Sequence, residues 1–413
     1  MKILMINVVC GIRSTGRICA DLATALEAQG HEVRIAYGRG IVPEQFRKYA
    51  IRVGTDFDNK MHGFRARLVD GCGFGSKSAT ENLIEWIKEY NPDVIHLHNI
   101  HGYYVNIEIL FDYLRTCGKR VIWTLHDCWA FTGHAAYCEA AGCERWKEGC
   151  YNCPKKFDYP KSLVDNSKNN WVRKKEILTS VQDLHIVTPS QWLANLVKHS
   201  YLSENKVSVI HNGVDTSVFR PVNSNIKKDL GIEGKKVILG VAALWEQRKG
   251  LYDFYRLSRE LDDKFRIVLV GLSKKQMKKL PTGIIGIERT NSTKELASLY
   301  SASEVYFNPT YEDNYPTTNL EAIACGTPVI TYDTGGSGES AKLFGAVVNK
   351  GDIERVYQII VRGHFVKKES DMGIKKMVNK YIRIIENGGG ITRVYYISLS
   401  AVNSNEIDRR YAA

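Results

Sequence analysis

The chain has 413 residues, more than one hydrophobic core usually serves, so two domains of roughly 200 residues each are expected. Hydrophobic residues at 44% and charged residues at 25% are ordinary for a globular protein and speak against a disordered or fibrous chain. The formal net charge of +12 allows solvated cationic helix faces or a surface for anionic lipid or a phosphorylated substrate; nucleic acid is set aside, because no RNA- or DNA-binding motif accompanies the charge.

Met1 to Val9 reads as a first β-strand and lacks the layout of a signal peptide. No run approaches the roughly 18 apolar residues of a membrane span. A cytoplasmic protein is expected, peripheral at most at the inner face of the membrane. After the first strand comes the glycine loop Gly11-Ile12-Arg13-Ser14-Thr15-Gly16, where Thr15 or Gly16 can open a helix running through Leu22 and Leu26 to Gly30. His31 to Ala36 is a second strand. A helix at Glu81 to Tyr90 leads through Pro92 into the strand Val94 to His98, and Arg120 to Leu125 is another apolar strand. His96, His98 and His101 have the look of a metal triplet, yet they follow a buried strand, which favours a hydrogen-bonded core or cleft-facing role. Val207 to His211 precedes Asn212-Gly213-Val214-Asp215, and the pattern restarts with Lys236 to Val241, Arg266 to Val270 and Glu304 to Asn308.

Alternation of apolar strands with amphipathic helices predicts parallel sheets covered on both faces. The expected fold is α/β, two Rossmann-like doubly wound parallel-sheet domains facing across a cleft that holds the ligand. Residues 1–212 form the first domain and 213–362 the second; 363–413 add a C-terminal helix near Met377 to Ile385 and an unassigned tail.

Within the second domain, Trp245-Glu246-Gln247-Arg248-Lys249-Gly250 sets two adjacent cations before a glycine, a pair suited to a diphosphate: Arg offers a fork of donors and Lys a point charge. Further on, Tyr311 to Ile330 reads YEDNYPTTNLEAIACGTPVI, with Asp313 and Glu321 eight positions apart. Val305 to Phe307 is a buried strand, Pro309 and Pro316 break any helix between, and Thr317 or Thr318 is expected to cap a helix from Asn319 to Cys325. The Asp313 to Thr318 loop then lies at the carboxyl end of a strand and the amino end of a helix, where N–H groups and the helix dipole favour an anion.

These pieces together resemble the retaining family 4 glycosyltransferases. The resemblance rests on Asp313 with Glu321, the run Glu321 to Val329, the linker His211 to Asp215 with Phe219 and Pro221, Arg248-Lys249-Gly250, and Gly335-Gly336 before Glu339. It extends from Met1 to about residue 362. Ser14 to Ile18, Leu125 to Trp129 and Phe131 to His134 are most similar to the bacterial capsule and colanic acid branch. The resemblance implies a GT-B enzyme that moves a sugar from a nucleotide-diphosphate donor to a hydroxyl of a saccharide or lipid-linked saccharide in cell-surface polysaccharide synthesis. It implies Arg248 and Lys249 at the diphosphate with Gly16 completing the pocket, Glu321 at the ribose, Asp313 and His126 beside the transferred sugar, and Asn314, Tyr315, Thr317 and Thr318 around the sugar and its phosphate. Asp313 is one methylene shorter than the family's usual Glu, and Leu244-Trp245 stands where the family carries Arg-Leu. No metal is implied for catalysis. The other readings are a nucleotide-sugar epimerase or phosphorylase on a similar fold, and a non-catalytic nucleotide-sugar-binding protein.

The ten cysteines, in a chain without a signal peptide, read as reduced thiols or metal ligands. Cys138, Cys143, Cys150 and Cys153 fall within the loop 128–153, together with His134. Four thiolates, or three with His134, would bind a structural zinc tetrahedrally; packing as plain thiols and a disulfide are the alternatives.

Overall fold

The computed structural model describes residues 1–366 and 372–387; Gly388-Gly389-Gly390 and the stretch to Ala413 lie outside the described residues. The chain divides into two compact units, Met1–His211 with the segment from Val378, and Asn212–Met377.

The first unit is a seven-stranded parallel sheet of β1 (Lys2–Asn7), β2 (Glu32–Tyr37), β3 (Ala50–Arg52), β4 (Val94–Leu97), β5 (Arg120–Thr124), β6 (His185–Thr188) and β7 (Lys206–Val209), in the order β3-β2-β1-β4-β5-β6-β7. Its helices are α1 (Arg13–Glu27), α2 (Asp56–Val69), α3 (Lys77–Tyr90), α4 (Ile107–Thr116), α5 (Ser167–Leu178) and α6 (Gln191–Lys198). From Ile3 to Asn7 every residue of β1 is buried, as expected where helices cover both faces of a parallel sheet. The second unit is a six-stranded parallel sheet of β8 (Lys236–Val241), β9 (Phe265–Val270), β10 (Ile284–Ile287), β11 (Val305–Asn308), β12 (Val329–Tyr332) and β13 (Gly345–Val348), ordered β10-β9-β8-β11-β12-β13. Its helices are α7 (Ile226–Asp229), α8 (Leu251–Glu260), α9 (Lys274–Met277), α10 (Thr293–Ser301), α11 (Thr317–Ala324), α12 (Ser337–Ala341) and α13 (Ile353–Arg362). Alternate side chains of β8 feed separate cores on the two sheet faces: Val237 and Leu239 join one, Ile238 the other.

The expected two doubly wound α/β domains are present. In each sheet the strand order reverses beside the first strand, between β1 and β4 and between β8 and β11. Ligands of open parallel sheets bind outside the carboxyl ends of the strands at such points.

Three boundaries differ from expectation. The first helix begins at Arg13, not at Thr15 or Gly16, because Gly11 at φ +72° turns the chain early and the Asn7 amide donates to the Val9 carbonyl (2.7 Å) and the Thr15 hydroxyl (3.4 Å). The second unit runs on to Met377 rather than stopping at 362, since Val214 and Gly373 form a parallel bridge. The last helix, α14 (Ile374–Asn387), starts in the second unit and from Val378 onward packs in the first, where the Tyr381 hydroxyl meets the Thr124 hydroxyl at 3.2 Å.

Candidate active site

The loops after β8, β11 and β12 converge at the carboxyl edge of the second sheet. Arg248 and Lys249 share one short 3-10 turn, Gln247–Lys249, which Gly250 closes at φ +71°. A Cβ added at Gly250 would lie 2.2 Å from the Pro309 carbonyl oxygen, so only glycine lets this turn approach the β11 loop. The contact is then sealed by the Tyr311 N–H donating to the Arg248 carbonyl at 2.7 Å. Arg248 Nη1 donates to the Glu312 carbonyl (3.2 Å) and its Nε to the Glu246 carboxylate (3.2 Å). Lys249 forms an ion pair with Asp313, the two side chains being 21% and 16% exposed. The structure therefore brings Arg248, Lys249 and Asp313 into one cluster.

Asp313 is itself held in place. Its Oδ1 accepts the Asn314 N–H at 2.9 Å, and its carbonyl accepts the Gly336 N–H at 3.2 Å. Gly335 at φ +55° leaves room for that carbonyl, which an added Cβ would approach to 1.9 Å. Asn314 and Tyr315 are buried, and the Tyr315 carbonyl accepts from the Asn212 amide at 3.0 Å. Neighbouring Glu312 is buried as well, while Asp313 is the acid paired with Lys249.

Helix α11 begins at Thr317, with Pro316 as its N-cap and no capping side chain. The expectation that Thr317 or Thr318 caps a helix from Asn319 is corrected: both lie in its first turn, and Thr318 hydrogen-bonds the Tyr306 hydroxyl instead. Proline suits the start because its fixed φ matches the entry and the first-turn donors have no intrahelical partners in any case. Glu321, one turn further on, is 8% exposed and accepts the Tyr300 hydroxyl at 3.1 Å. Burial first, and the Glu321 charge next, push the Tyr300 hydroxyl well above its ordinary pKa, so it stays a donor. Asn319 ties the ensemble together: it accepts from Asn308 at 2.8 Å and donates to Ser340 Oγ at 2.9 Å. Tyr300 and Asn319 escaped the sequence reading, since a Tyr and an Asn in amphipathic helices look like core and surface residues.

In the first unit, Gly16 is buried in the first turn of α1, where an added Cβ would stand 2.9 Å from Val9 Cγ2. The missing Cβ lets the helix pack closely on the β1 loop. His126 follows β5, and its Nε2 lies 3.1 Å from His98 Nδ1. Burial lowers His126 to about 4 and His98 well below the ordinary range, so both are neutral at pH 7 and one proton sits between them. Beside them His101 Nε2 lies 2.9 Å from Asp127 Oδ2, and Nδ1 lies 2.9 Å from the Tyr159 hydroxyl. Burial would raise the Asp127 carboxyl, but the charge and hydrogen bond of His101 and the Trp129 N–H outweigh it and hold it below its usual value. His96 is bonded to Thr124 at 2.9 Å. These histidines form paired hydrogen bonds, in keeping with their place after a buried strand.

All ten cysteines are free thiols, and among the described residues no group of three or more His, Cys, Asp or Glu is placed to hold a metal ion. Cys138 and Cys150 are buried in the core of the first unit, and the Cys150 sulfur accepts the Gly133 N–H at 3.1 Å. Burial pushes the Cys150 thiol to about 12 and Cys153 to about 11, so both are protonated at neutral pH. Lys174, buried beneath the loop, donates to the carbonyls of Trp129 (2.9 Å) and Thr132 (3.1 Å).

Comparison with known proteins agrees with this architecture. The family model "Glycosyltransferase Family 4" matches residues 15–218, and "Glycosyl transferases group 1" matches residues 235–363. A putative colanic acid biosynthesis glycosyl transferase, WcaC of Escherichia coli, is 27% identical over 379 residues, covering 87% of this chain and 90% of that protein. N,N'-diacetylbacillosaminyl-diphospho-undecaprenol alpha-1,3-N-acetylgalactosaminyltransferase of Campylobacter jejuni is 31% identical over 160 residues, 36% of this chain and 42% of that one. The structure of Anabaena Alr3699/HepE in complex with UDP-glucose aligns with a TM-score of 0.59 at 13% identity, covering 93% of this chain and 94% of that one, a likeness of fold. With a family model on each unit, a relative spanning most of its length and the GT-B fold, the chain belongs to the family 4 glycosyltransferases.

Proposed function

We propose that this glycosyltransferase is a retaining enzyme that takes a sugar from a nucleotide-diphosphate donor and places it on a hydroxyl of a saccharide or lipid-linked saccharide during cell-surface polysaccharide synthesis. The observation that carries the reading is the joint placement of Arg248, Lys249 and Asp313 at the switch point of the second sheet, with Glu321 one turn into the adjoining helix. Breaking the bond between the anomeric carbon and the phosphate oxygen leaves its electron pair on a diphosphate. The Arg248 fork, the Lys249 ammonium and the amino end of α11 with Asn314 to Thr318 are the groups that offset that charge. The acceptor hydroxyl oxygen bonds the anomeric carbon on the face the phosphate leaves, and its proton passes to the departing phosphate oxygen. Glu321, fixed by Tyr300, accepts ribose hydroxyls; Asp313 and neutral His126 are assigned to hydroxyls of the transferred sugar. Fixed cations suffice for this chemistry, so no metal is assigned to it.

The relatives' names support the finer points as analogies: colanic acid for the product class, a diphospho-undecaprenol compound for a lipid-linked acceptor, and UDP-glucose for the donor class. Work at the inner face of the membrane follows from such an acceptor.

The test is a thermal-shift screen against nucleoside diphosphates and nucleotide sugars, without added metal, in wild type and Glu321→Ala. Stabilisation of wild type by one nucleotide family, lost in the variant, supports the donor site. No stabilisation by any of them refutes it, and binding without turnover would turn the protein into a non-catalytic sugar-nucleotide binder.

A further inference from the structure

Helix α2 (Asp56–Val69) is capped by Thr55 and Asp58 in a reciprocal capping box, yet the residues it buries are His62 and Ala66. Its larger apolar side chains point the other way. Phe57, Met61, Phe64 and Leu68 recur at helical spacing and form one stripe, with Phe57 69% and Phe64 57% exposed. The stripe continues onto a second segment. The Leu163 N–H and the Ser162 hydroxyl both donate to the Arg67 carbonyl, at 2.7 and 3.3 Å, setting Leu163 (66% exposed) and Val164 against the last turn of α2, with Phe157 and Tyr159 exposed on the same loop. Half of the large apolar side chains that stand exposed among the described residues belong to these two short segments. Beside the stripe, between α2 and the start of α3, lies an open groove of about 470 Å³ lined by Phe57, Met61, Phe64, Arg65, Leu68 and Ser78.

Soluble monomers rarely leave so continuous an apolar patch uncovered. The charge around it identifies the occupant. On the helical wheel Lys60 and Arg67 flank the stripe on one side and Arg65 on the other, while Lys156 and Lys161 rise from the loop. The nearby acids are engaged locally: Asp58 in the capping box, Asp56 with Arg52, Asp158 with Lys155 at 3.3 Å. An apolar stripe between rows of long cationic side chains suits a bilayer boundary, where the stripe sinks among acyl chains and the cations reach anionic headgroups. A second copy of this face would bring like charges together.

We propose that the α2 stripe and the 157–164 loop form the surface by which this protein docks on an anionic lipid bilayer. This gives the membrane-facing part of the functional reading a location, and it is tested without any nucleotide, so its failure and that of the donor site are told apart.

The experiment is sedimentation of the purified full chain with vesicles of phosphatidylcholine alone and of phosphatidylcholine mixed equally with phosphatidylglycerol. The protein is expected to pellet with the mixed vesicles, not with the neutral ones, and less so as salt rises. Phe64→Ser with Leu163→Ser should weaken binding by about tenfold per side chain. Arg65→Ser with Lys161→Ser should weaken it by about fivefold per cation. Both pairs are exposed, so their melting temperatures should match wild type. Failure of the wild type to pellet with mixed vesicles overturns the proposal, as do variants that pellet like wild type. A dimer in solution that the apolar pair dissociates, or vesicle binding that appears only after truncation at Asn387, would assign the patch to another copy or to residues 388–413 and overturn it equally.

Discussion

The Lys249–Asp313 ion pair makes a prediction whose sign is unusual. In the ligand-free site the ammonium is neutralised by a carboxylate, and a diphosphate must compete with that carboxylate for it. With both partners about one-fifth exposed, the pair falls between a surface ion pair and a buried one, worth about 1–2 kcal/mol. Replacing Asp313 by Asn keeps an oxygen for the Asn314 N–H and removes the competitor. Nucleoside diphosphate affinity should then rise by roughly 5- to 30-fold, at about 1.4 kcal/mol per factor of ten. Lys249→Ala should lower the same affinity by a similar factor. Turnover with a sugar donor should fall in both, because Asp313→Asn also removes the carboxylate assigned to the sugar. Isothermal titration calorimetry with a nucleoside diphosphate that carries no sugar reads the first effect apart from the second. If Asp313→Asn weakens diphosphate binding as much as Lys249→Ala does, the two charges do not oppose each other in the way described, and the reasoning fails.

Other expectations rest on separate features. His62, His96 and His126 are lowered by burial to about 4, 3 and 4, against 6.5 for the unfolded imidazole. Between pH 6.5 and 4 the unfolded chain takes up protons that the fold does not, so stability falls with falling pH in that window, by up to about 1.4 kcal/mol per unit for each group. Urea midpoints at pH 7.5 and 5.5 that coincide would contradict it. Gly250→Ala should destabilise the second unit by more than about 1 kcal/mol and abolish nucleotide binding, given the positive φ and the Pro309 carbonyl in the way; a wild-type melt with intact binding is the opposing result. Exhaustive chelation should lower the melting temperature by several degrees, restored by zinc, if the thiols of the 128–153 loop hold that metal. A melting temperature unchanged after complete metal removal would refute the zinc reading.

Short-range chemistry was legible in the sequence, and cross-chain chemistry was not. Strands such as Lys2–Asn7 and Val305–Asn308 announce themselves by uninterrupted apolar runs, and the Asp313–Glu321 spacing places its acids because eight residues of loop and helix carry their own grammar. Local signals also misled: two threonines before a helix look like caps, yet Pro316 took the position. Helix α2 left no trace in the reading, since it buries little and its apolar residues face outward. The His98–His126 contact joins residues 28 apart through two strand ends, and nothing in either segment encodes the other. Nor did the cysteine spacing foretell that Cys138 and Cys150 join the core of the first unit, with the Cys150 sulfur accepting the Gly133 N–H.

Helix α14 carries a consequence for how the protein is made. Tyr381, Ile382 and Ile385 are buried, Arg120 donates to the Ile385 carbonyl at 3.0 Å, and Tyr381 meets Thr124 across 257 positions of sequence. A ribosome releasing the chain amino end first lays down the seven strands of the first unit long before the helix that completes it. Throughout synthesis of the second unit, Thr124 keeps His96 as partner but lacks Tyr381, and the apolar surface flanking it stays uncovered, a long-range closure of the kind that slows folding. A fragment that stops at His211 should on this account be less soluble than the full chain, and supplying residues 374–387 as a peptide should restore it.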